Sequence, residues 1–258
     1  MSTTDWNPDL YLKFDRERIQ PSIDLISRID MKLPRKIIDI GCGPGNSTQI
    51  LFEKWPESVI TGADNSPAMI QKAKKEFPQQ NWILFDAAKD MMQDKFDIVF
   101  SNAAFQWIPD HKNLIRKFFN ILNKGGTLAV QLPLFFHMPV GKVISDAAEN
   151  QQWNASVEMV KDMFTIESPS FYYDSLAALF SEVEIWVTHY MHIMNSHLMI
   201  FEMIRSTGLR PYIDRIRNEE HRCEFEGLVL KGIENAYPPQ KNGRVIFPFI
   251  RLFFVAKK

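Results

Sequence analysis

Three glycines spaced two apart, Gly41, Gly43 and Gly45, follow the apolar run Lys36 to Ile40 and precede a helix-like stretch from about Ser47 to Trp55. Glycine at a strand-to-helix junction lets the backbone turn sharply and approach a ligand with no Cβ in the way. Dinucleotide-binding folds use the same place with the pattern G-x-G-x-x-G, which would need glycine at position 46, where this chain has Asn46. Pro44 stiffens the loop and removes an N–H that a diphosphate would use. The loop therefore favours a ligand without a diphosphate, such as the methionine portion of S-adenosylmethionine. Asp39, just ahead of the loop, has two readings: it holds the loop by accepting backbone N–H groups, or it approaches a sulfonium cation electrostatically.

Acids at two successive strand ends extend the reading to the rest of an adenosyl ligand. Asp64, 19 residues after Gly45 and followed by Asn65, ends the run Val59 to Asp64, where a carboxylate can accept from two ribose hydroxyls. Asp86, with Ala87 behind it, ends the run Trp82 to Asp86 and is placed to accept from an adenine amino group. Acids at strand ends also commonly just cap helices, and that plainer reading is strongest for Asp86. Asn102, with Ala103 after it, ends a fourth run at the expected topological switch point, where open α/β sheets bind ligands. Trp107 is expected to pack near the adenine or over the mouth of the site.

The elements that position these residues alternate between apolar strand-like runs and amphipathic helices through the first half of the chain, which indicates a parallel sheet with crossover helices. After Pro67 to Phe77, a helix, come strands at Trp82 to Asp86, Asp97 to Asn102 and Thr127 to Leu132, with a helix from about His111 to Leu122 stopped by Asn123-Lys124-Gly125-Gly126. Helical insertions are expected over 134–175, with helical segments to about Ser168, and over 194–244, with helices from His197 to Thr207 and from about Asp214 to Ala236. Between the insertions lies a strand, Glu184 to Ile193, and the chain closes on a last strand, 245–257, that would suit an antiparallel sheet edge. The reading is one domain, with 1–30 as an N-terminal helical segment and 35–133 as the ligand-binding core.

Composition excludes several classes. In 258 residues, Lys+Arg total 30 against 31 Asp+Glu, so a net charge of -1 offers no broad positive field for nucleic acid. No apolar stretch reaches the ~20 residues of a membrane span and no leader pattern opens the chain, so a cytoplasmic monomer away from membranes is expected. Cys42 and Cys223 are expected to be free thiols, and no Cys/His cluster has metal spacing.

The chain resembles the class I methyltransferases over nearly its whole length, and within them the enzymes that methylate one carboxylate of a small tricarboxylic acid. The resemblance rests on Trp6-Asn7-Pro8 with Tyr11, on Asp39 to Thr48, on Ser66-Pro67-Ala68-Met69-Ile70, and on Asn102-Ala103 with Gln106-Trp107-Ile108-Pro109-Asp110-His111. It continues through Thr207-Gly208-Leu209-Arg210-Pro211 and Arg251-Leu252-Phe253-Phe254-Val255-Ala256. It implies a doubly wound, seven-stranded, mostly parallel Rossmann-like sheet with an antiparallel C-terminal strand. It also implies a Trp6 to Tyr11 segment folded over the cofactor, insertions forming a substrate lid, and a polycarboxylate acceptor such as trans-aconitate.

A carboxylate, with a pKa near ~4, is ionised at neutral pH and needs no general base. The absence of any Ser/His/Asp or Cys/His constellation is consistent with that acceptor, since catalysis can rest on positioning and water exclusion. Arg251 interrupts a strand apolar on both faces, where a guanidinium needs an anion: a substrate carboxylate, or one of the chain's own acids. Arg210 is the second candidate, against the reading of a solvated helix-end arginine. Tyr190, Tyr212, Tyr237 and His137 are candidate donors that also read as packing residues. Lys241 and Arg244 read as turn residues around Asn242-Gly243. Two other functions fit part of the pattern: methylation of another small carboxylic acid, such as a malonyl thioester, and non-catalytic binding of S-adenosylmethionine. Methylation of base amino groups does not, because the fourth strand is followed by Asn102-Ala103-Ala104-Phe105 rather than Asn-Pro-Pro-aromatic.

Overall fold

Strand β1 (Lys36–Ile40) and strand β2 (Val59–Asp64) form where the apolar runs fall, and they pair in parallel with Ile37 opposite Ile60 and Ile40 opposite Ala63. The computed structural model describes residues 15–258, with side chains described from Ile19 onward, so Trp6 and Tyr11 lie outside the described residues. Helix α1 (Asp15–Ser27) precedes β1 and helix α2 (Asn46–Lys54) follows it. After β2, helix α3 (Pro67–Glu76) starts on Ser66, whose hydroxyl accepts from the Met69 N–H at 3.3 Å, with Pro67 at the first helical position where its missing N–H costs nothing.

Strand β3 (Asn81–Leu84) pairs in parallel with β2, and β4 (Phe96–Asn102) pairs in parallel with both β1 and β5 (Leu122–Pro133). Strand β6 (Glu182–Met194) and strand β7 (Val245–Lys257) complete a seven-stranded mixed sheet in the order β3-β2-β1-β4-β5-β7-β6, with the C-terminal strands antiparallel. The order reverses between β1 and β4, so the open ends of these strands, at Gly41 and Asn102, flank the switch point.

Four boundaries differ from the sequence reading. Strand β3 stops at Leu84, so Asp86 stands two residues past the strand rather than at its end. Helix α4 (His111–Ile121) stops where expected but gives way directly to β5, which begins at Leu122 rather than Thr127 and takes in Asn123-Lys124-Gly125-Gly126. The reason is pairing: Gly125 N–H donates to the Lys258 carbonyl at 3.0 Å, Lys258 N–H donates to Gly126 at 2.9 Å, and the Asn123 amide donates to Asp97 at 2.7 Å. Ser168 is not a helix end but the cap of a further helix, α7 (Pro169–Ala177), its hydroxyl accepting from Phe171 N–H. The helix expected from about Asp214 starts only at Glu219, as α10 (Glu219–Ala236) capped by Asn218, while a separate short helix, α9 (Arg210–Ile213), ends before Asp214.

The chain divides into two compact units. The first runs to Leu132 and includes Phe164–Val187 and Leu252–Lys258; its core holds Ile37, Ile38, Val99, Phe100 and Val130, with Leu114, Ile115 and Phe118 of α4 buried. The second comprises Pro133–Met163 and Thr188–Arg251, carrying α5 (Pro139–Ala148), α6 (Asn154–Val157), α8 (His197–Arg205), α9 and α10. Its core includes Ile144, Ile200, Tyr212, Phe225, Ile233 and Phe247.

Candidate active site

The glycine loop is shaped by its neighbours as much as by any ligand. Gly41, Gly43 and Gly45 all hold left-handed φ angles, 75°, 55° and 103°. A Cβ on Gly41 would fall 2.1 Å from the Ala104 Cβ, and one on Gly45 would fall 2.7 Å from the Trp82 ring. Gly43 has open space in that direction, which leaves it as the loop position facing outward from the packing. Gly41 N–H and Cys42 N–H both donate to the Ala63 carbonyl, at 2.7 and 3.1 Å, tying the loop to the end of β2.

Two carboxylates meet this loop. Asp64 accepts from Gly43 N–H through one oxygen at 2.9 Å and from Ser66 N–H through the other at 2.8 Å. Burial pushes its pKa up, against the lowering influence of these backbone donors. Asp39 is fully buried, and one of its oxygens accepts from the hydroxyls of Ser47 and Thr48 at 2.6 and 2.7 Å. It therefore grips side chains in the first turn of α2 where loop N–H groups were one expectation. Its second oxygen has no hydrogen-bond partner among the described residues. Burial drives the Asp39 pKa to about 6 despite the two hydroxyls, with Asp64 adding to the rise. Asn46 opens α2 directly after the loop in sequence, and Asn65 follows Asp64 at the end of β2.

At the end of β4, Asn102 also has an enclosed side-chain oxygen with no partner among the described residues. Ala103 next to it adopts φ 55°, and its N–H donates to the Gln131 carbonyl at 2.9 Å. A single turn, Phe105–Trp107, follows, and Asp110 closes it at φ 55° while capping α4. Trp107 packs on Phe164 with ring centroids 4.5 Å apart, and Thr165 N–H donates to the Gln106 carbonyl at 2.9 Å. His111 fixes the turn from below: Nε2 lies 2.9 Å from the Phe105 carbonyl and Nδ1 lies 2.7 Å from the Tyr172 hydroxyl. Burial lowers the His111 pKa, so the ring is neutral, donating through Nε2 and accepting through Nδ1.

Asp86 is engaged locally. Its oxygens take Lys89 Nζ at 2.7 Å and Ala88 N–H at 3.0 Å, which outweigh the effect of partial burial and hold its pKa below the usual carboxylate value. Ala87 is buried and its carbonyl accepts from Lys117 Nζ at 2.7 Å.

In the second unit Arg251 is only 4% exposed. Its guanidinium sits 4.4 Å over the Phe249 ring and 6.0 Å from the Tyr190 ring, an aromatic lining that suits its flat cation. Arg210 Nε lies 3.5 Å from Asp214, one helical turn on. Tyr212 is wholly buried against Phe225, its hydroxyl without a partner among the described residues, and burial pushes its pKa up to about 12. His137 is exposed at the end of a single turn, Phe135–His137. The Tyr237 hydroxyl accepts from Val140 N–H at 2.9 Å and so serves packing, and Asn242 and Gly243 make the expected turn, Gly243 with φ 78°.

Four residues escaped the sequence reading. Trp82 and Phe77 wall the loop at Gly45, a contact carried by chain crossing rather than by any motif. His111 was visible within its run but its partner Tyr172 is 61 residues away. His192, close enough to Arg251 for that charge to act on it, carried no local signal at all.

Among the described residues no cluster of three or more His, Cys, Asp or Glu could hold a metal, and no helix is long and apolar enough to cross a membrane. Cys42 is buried and Cys223 exposed, both as free thiols. Residues 34–197 match the family model of a methyltransferase domain. A putative methyltransferase from Bacillus halodurans superposes with a TM-score of 0.59 at 13% identity, over 93% of this chain and 99% of that one. Phosphoethanolamine N-methyltransferase 2 of Haemonchus contortus gives 0.56 at 17% identity, over 93% of this chain and 52% of that one. Fold and matched domain together define a class I methyltransferase. The sequence relatives are more specific: a trans-aconitate 2-methyltransferase of Methylobacterium radiotolerans is 38% identical over 98% of both chains, and one of Escherichia coli 36% identical over 99% of both. This chain belongs to the trans-aconitate 2-methyltransferase family.

Proposed function

We propose that this chain transfers a methyl group from S-adenosylmethionine to a carboxylate of trans-aconitate, leaving a monomethyl ester and S-adenosylhomocysteine. The observation that carries the reading is the identity of 36–38% to enzymes of that name along essentially the whole length of both chains. The loop residues fit the donor. Asp39 and Asn102 each hold an enclosed oxygen with no partner among the described residues, and acceptors so placed suit a ligand rich in cationic and N–H groups.

When bound, S-adenosylmethionine supplies a methyl group on a sulfonium, activated for in-line displacement. Asp64 accepts from the ribose hydroxyls with the lone pairs that Gly43 and Ser66 leave available. Gly41, Gly43, Gly45 and Asn46 give the methionine portion a close-fitting backbone, Asn65, Ala87, Ala103 and Trp107 border the adenosine, and Asp86 is the acceptor assigned to the adenine amino group, in competition with Lys89 and Ala88 N–H. The acceptor carboxylate is ionised and surrenders no proton, so the protein's task is to align it and to exclude water. Arg251 binds a carboxylate of the acid, supported by Arg210, Tyr212, Tyr190 and His137. The enzyme acts as a cytoplasmic monomer on a small molecule, without nucleic acid.

Incubation with methyl-labelled S-adenosylmethionine and a panel of di- and tricarboxylates tests this directly. A base-labile methyl ester is expected, formed fastest on trans-aconitate; label transferred to no carboxylate overturns the reading.

A further inference from the structure

Within the second unit, strands β6 and β7 present five side chains to one another. Tyr190 and His192 stand two residues apart on β6 and so share a face, their rings 6.3 Å apart and inclined by only 11°. Phe247, Phe249 and Arg251 share a face of β7 and are all buried. The His192 ring lies 6.5 Å from Phe247 and 6.1 Å from Phe249, while Arg251 lies over Phe249 and Tyr190. The result is an aromatic floor carrying two nitrogen-rich groups, one permanently charged and one titratable.

His192 is the unexplained member. Its Nε2 is enclosed and finds no hydrogen-bond partner among the described residues, an arrangement folded proteins seldom retain without a use. Burial and then the Arg251 charge push its pKa down to about 4, so at neutral pH the ring is uncharged. A neutral imidazole with its proton on Nε2 is a single directional donor that brings no second buried cation to be neutralised. A carboxylate has acceptor sites enough for both a guanidinium fork and one imidazole N–H.

We propose that His192 is a specificity-determining residue that, with Arg251, receives a carboxylate of the acceptor acid other than the one methylated. The proposal rests on the acceptor reading above and sharpens it: it assigns a second carboxylate, present on a tricarboxylate, to a particular side chain. An acid lacking that group leaves His192 Nε2 without a partner and gains nothing from it.

The test is a cycle between protein and substrate. Initial rates are measured for wild type, His192→Phe and His192→Gln with trans-aconitate and with its three truncations, glutaconate, itaconate and mesaconate, each missing one carboxylate. His192→Phe is expected to raise KM for trans-aconitate roughly ten- to a hundred-fold, the range of one hydrogen bond to a charged group. KM for S-adenosylmethionine should move less than about twofold, as for a site with no shared partners. For one truncation the KM effect should fall to near unity, and His192→Gln, whose amide keeps a donor, should recover most of the loss. An equal rise on every acid, no rise on any, or a parallel loss of affinity for S-adenosylmethionine overturns the assignment. Melting curves on both variants identify a folding failure, and then His192→Gln alone decides by whether its KM pattern across the four acids departs from wild type. Wild type inactive on all four acids instead refutes the acceptor reading itself.

Discussion

Asp64 and Gly43 are joined by a hydrogen bond of 2.9 Å between the loop's middle N–H and the carboxylate that ends β2. The acid expected to meet a ribose is thus also the brace that sets the loop, and ligand affinity and loop order depend on one side chain. Asp64→Asn replaces an acceptor with an amide that can satisfy only one of the two N–H donors from Gly43 and Ser66. Its affinity for S-adenosylmethionine should fall about ten- to a hundred-fold, with a drop of roughly 1–3 kcal/mol in stability, read by calorimetric titration and by denaturant unfolding. A loss of affinity with unchanged stability would separate the two roles and show the brace to be dispensable.

Asp39 makes a prediction in pH. Its folded pKa of about 6 lies above the unfolded value of 3.8, so the fold favours the neutral acid. The stability this contributes is complete below about pH 4 and is lost as pH rises through 6, by at most about 3 kcal/mol. The difference in unfolding free energy between wild type and Asp39→Asn, measured without ligand from pH 4 to 8, should therefore decline with pH. Affinity for the sulfonium donor should run the other way, rising through pH 6 in wild type and flattening in the variant. A flat affinity profile in wild type removes any electrostatic role for this carboxylate.

Arg251→Ala is expected to raise KM for trans-aconitate by about a hundred-fold or more, the cost of losing a buried charge partner, while S-adenosylmethionine still binds. Arg251→Lys should recover little, because an ammonium replaces neither the planar fork nor its seat over Phe249. If binding of S-adenosylmethionine and thermal stability collapse together in Arg251→Ala, the arginine is a packing element and the acid is held elsewhere.

The contact between Gly41 and Ala104 is testable by exchange. Gly41→Ala puts a methyl 2.1 Å from the Ala104 Cβ at a left-handed φ, and should cost roughly 2–4 kcal/mol with loss of donor binding. Adding Ala104→Gly removes the collision but not the backbone strain, so the double variant should regain about half of the stability. Equal melting temperatures for the single and double variants would mean that φ alone sets the penalty.

Much of this was legible from residue order. The bounds of β1 and β2 agree with their apolar runs because both are buried on two faces, where a parallel strand leaves a continuous apolar signature. The place of Asp64 at the end of β2 was readable from its apolar run, whereas that of Asp86 was not: β3 ends at Leu84, leaving the acid past the strand beside Lys89. The early start of β5 was not readable at Gly125-Gly126 because their partner is Lys258, which no local window includes. His192 was invisible for the same reason, its meaning residing in a neighbouring strand more than fifty positions away.

Ala103 and Asp110, the only non-glycine residues with positive φ among the described residues, bracket the turn that carries Trp107. A segment bent backwards at both ends and pinned through His111 has few alternative shapes to explore. The wall beside Asn102 is therefore settled once, when the chain folds, rather than afresh at each encounter. A ligand arriving there meets a surface already cast, and the rate of its capture should be governed by diffusion and desolvation instead of by the wandering of a loop.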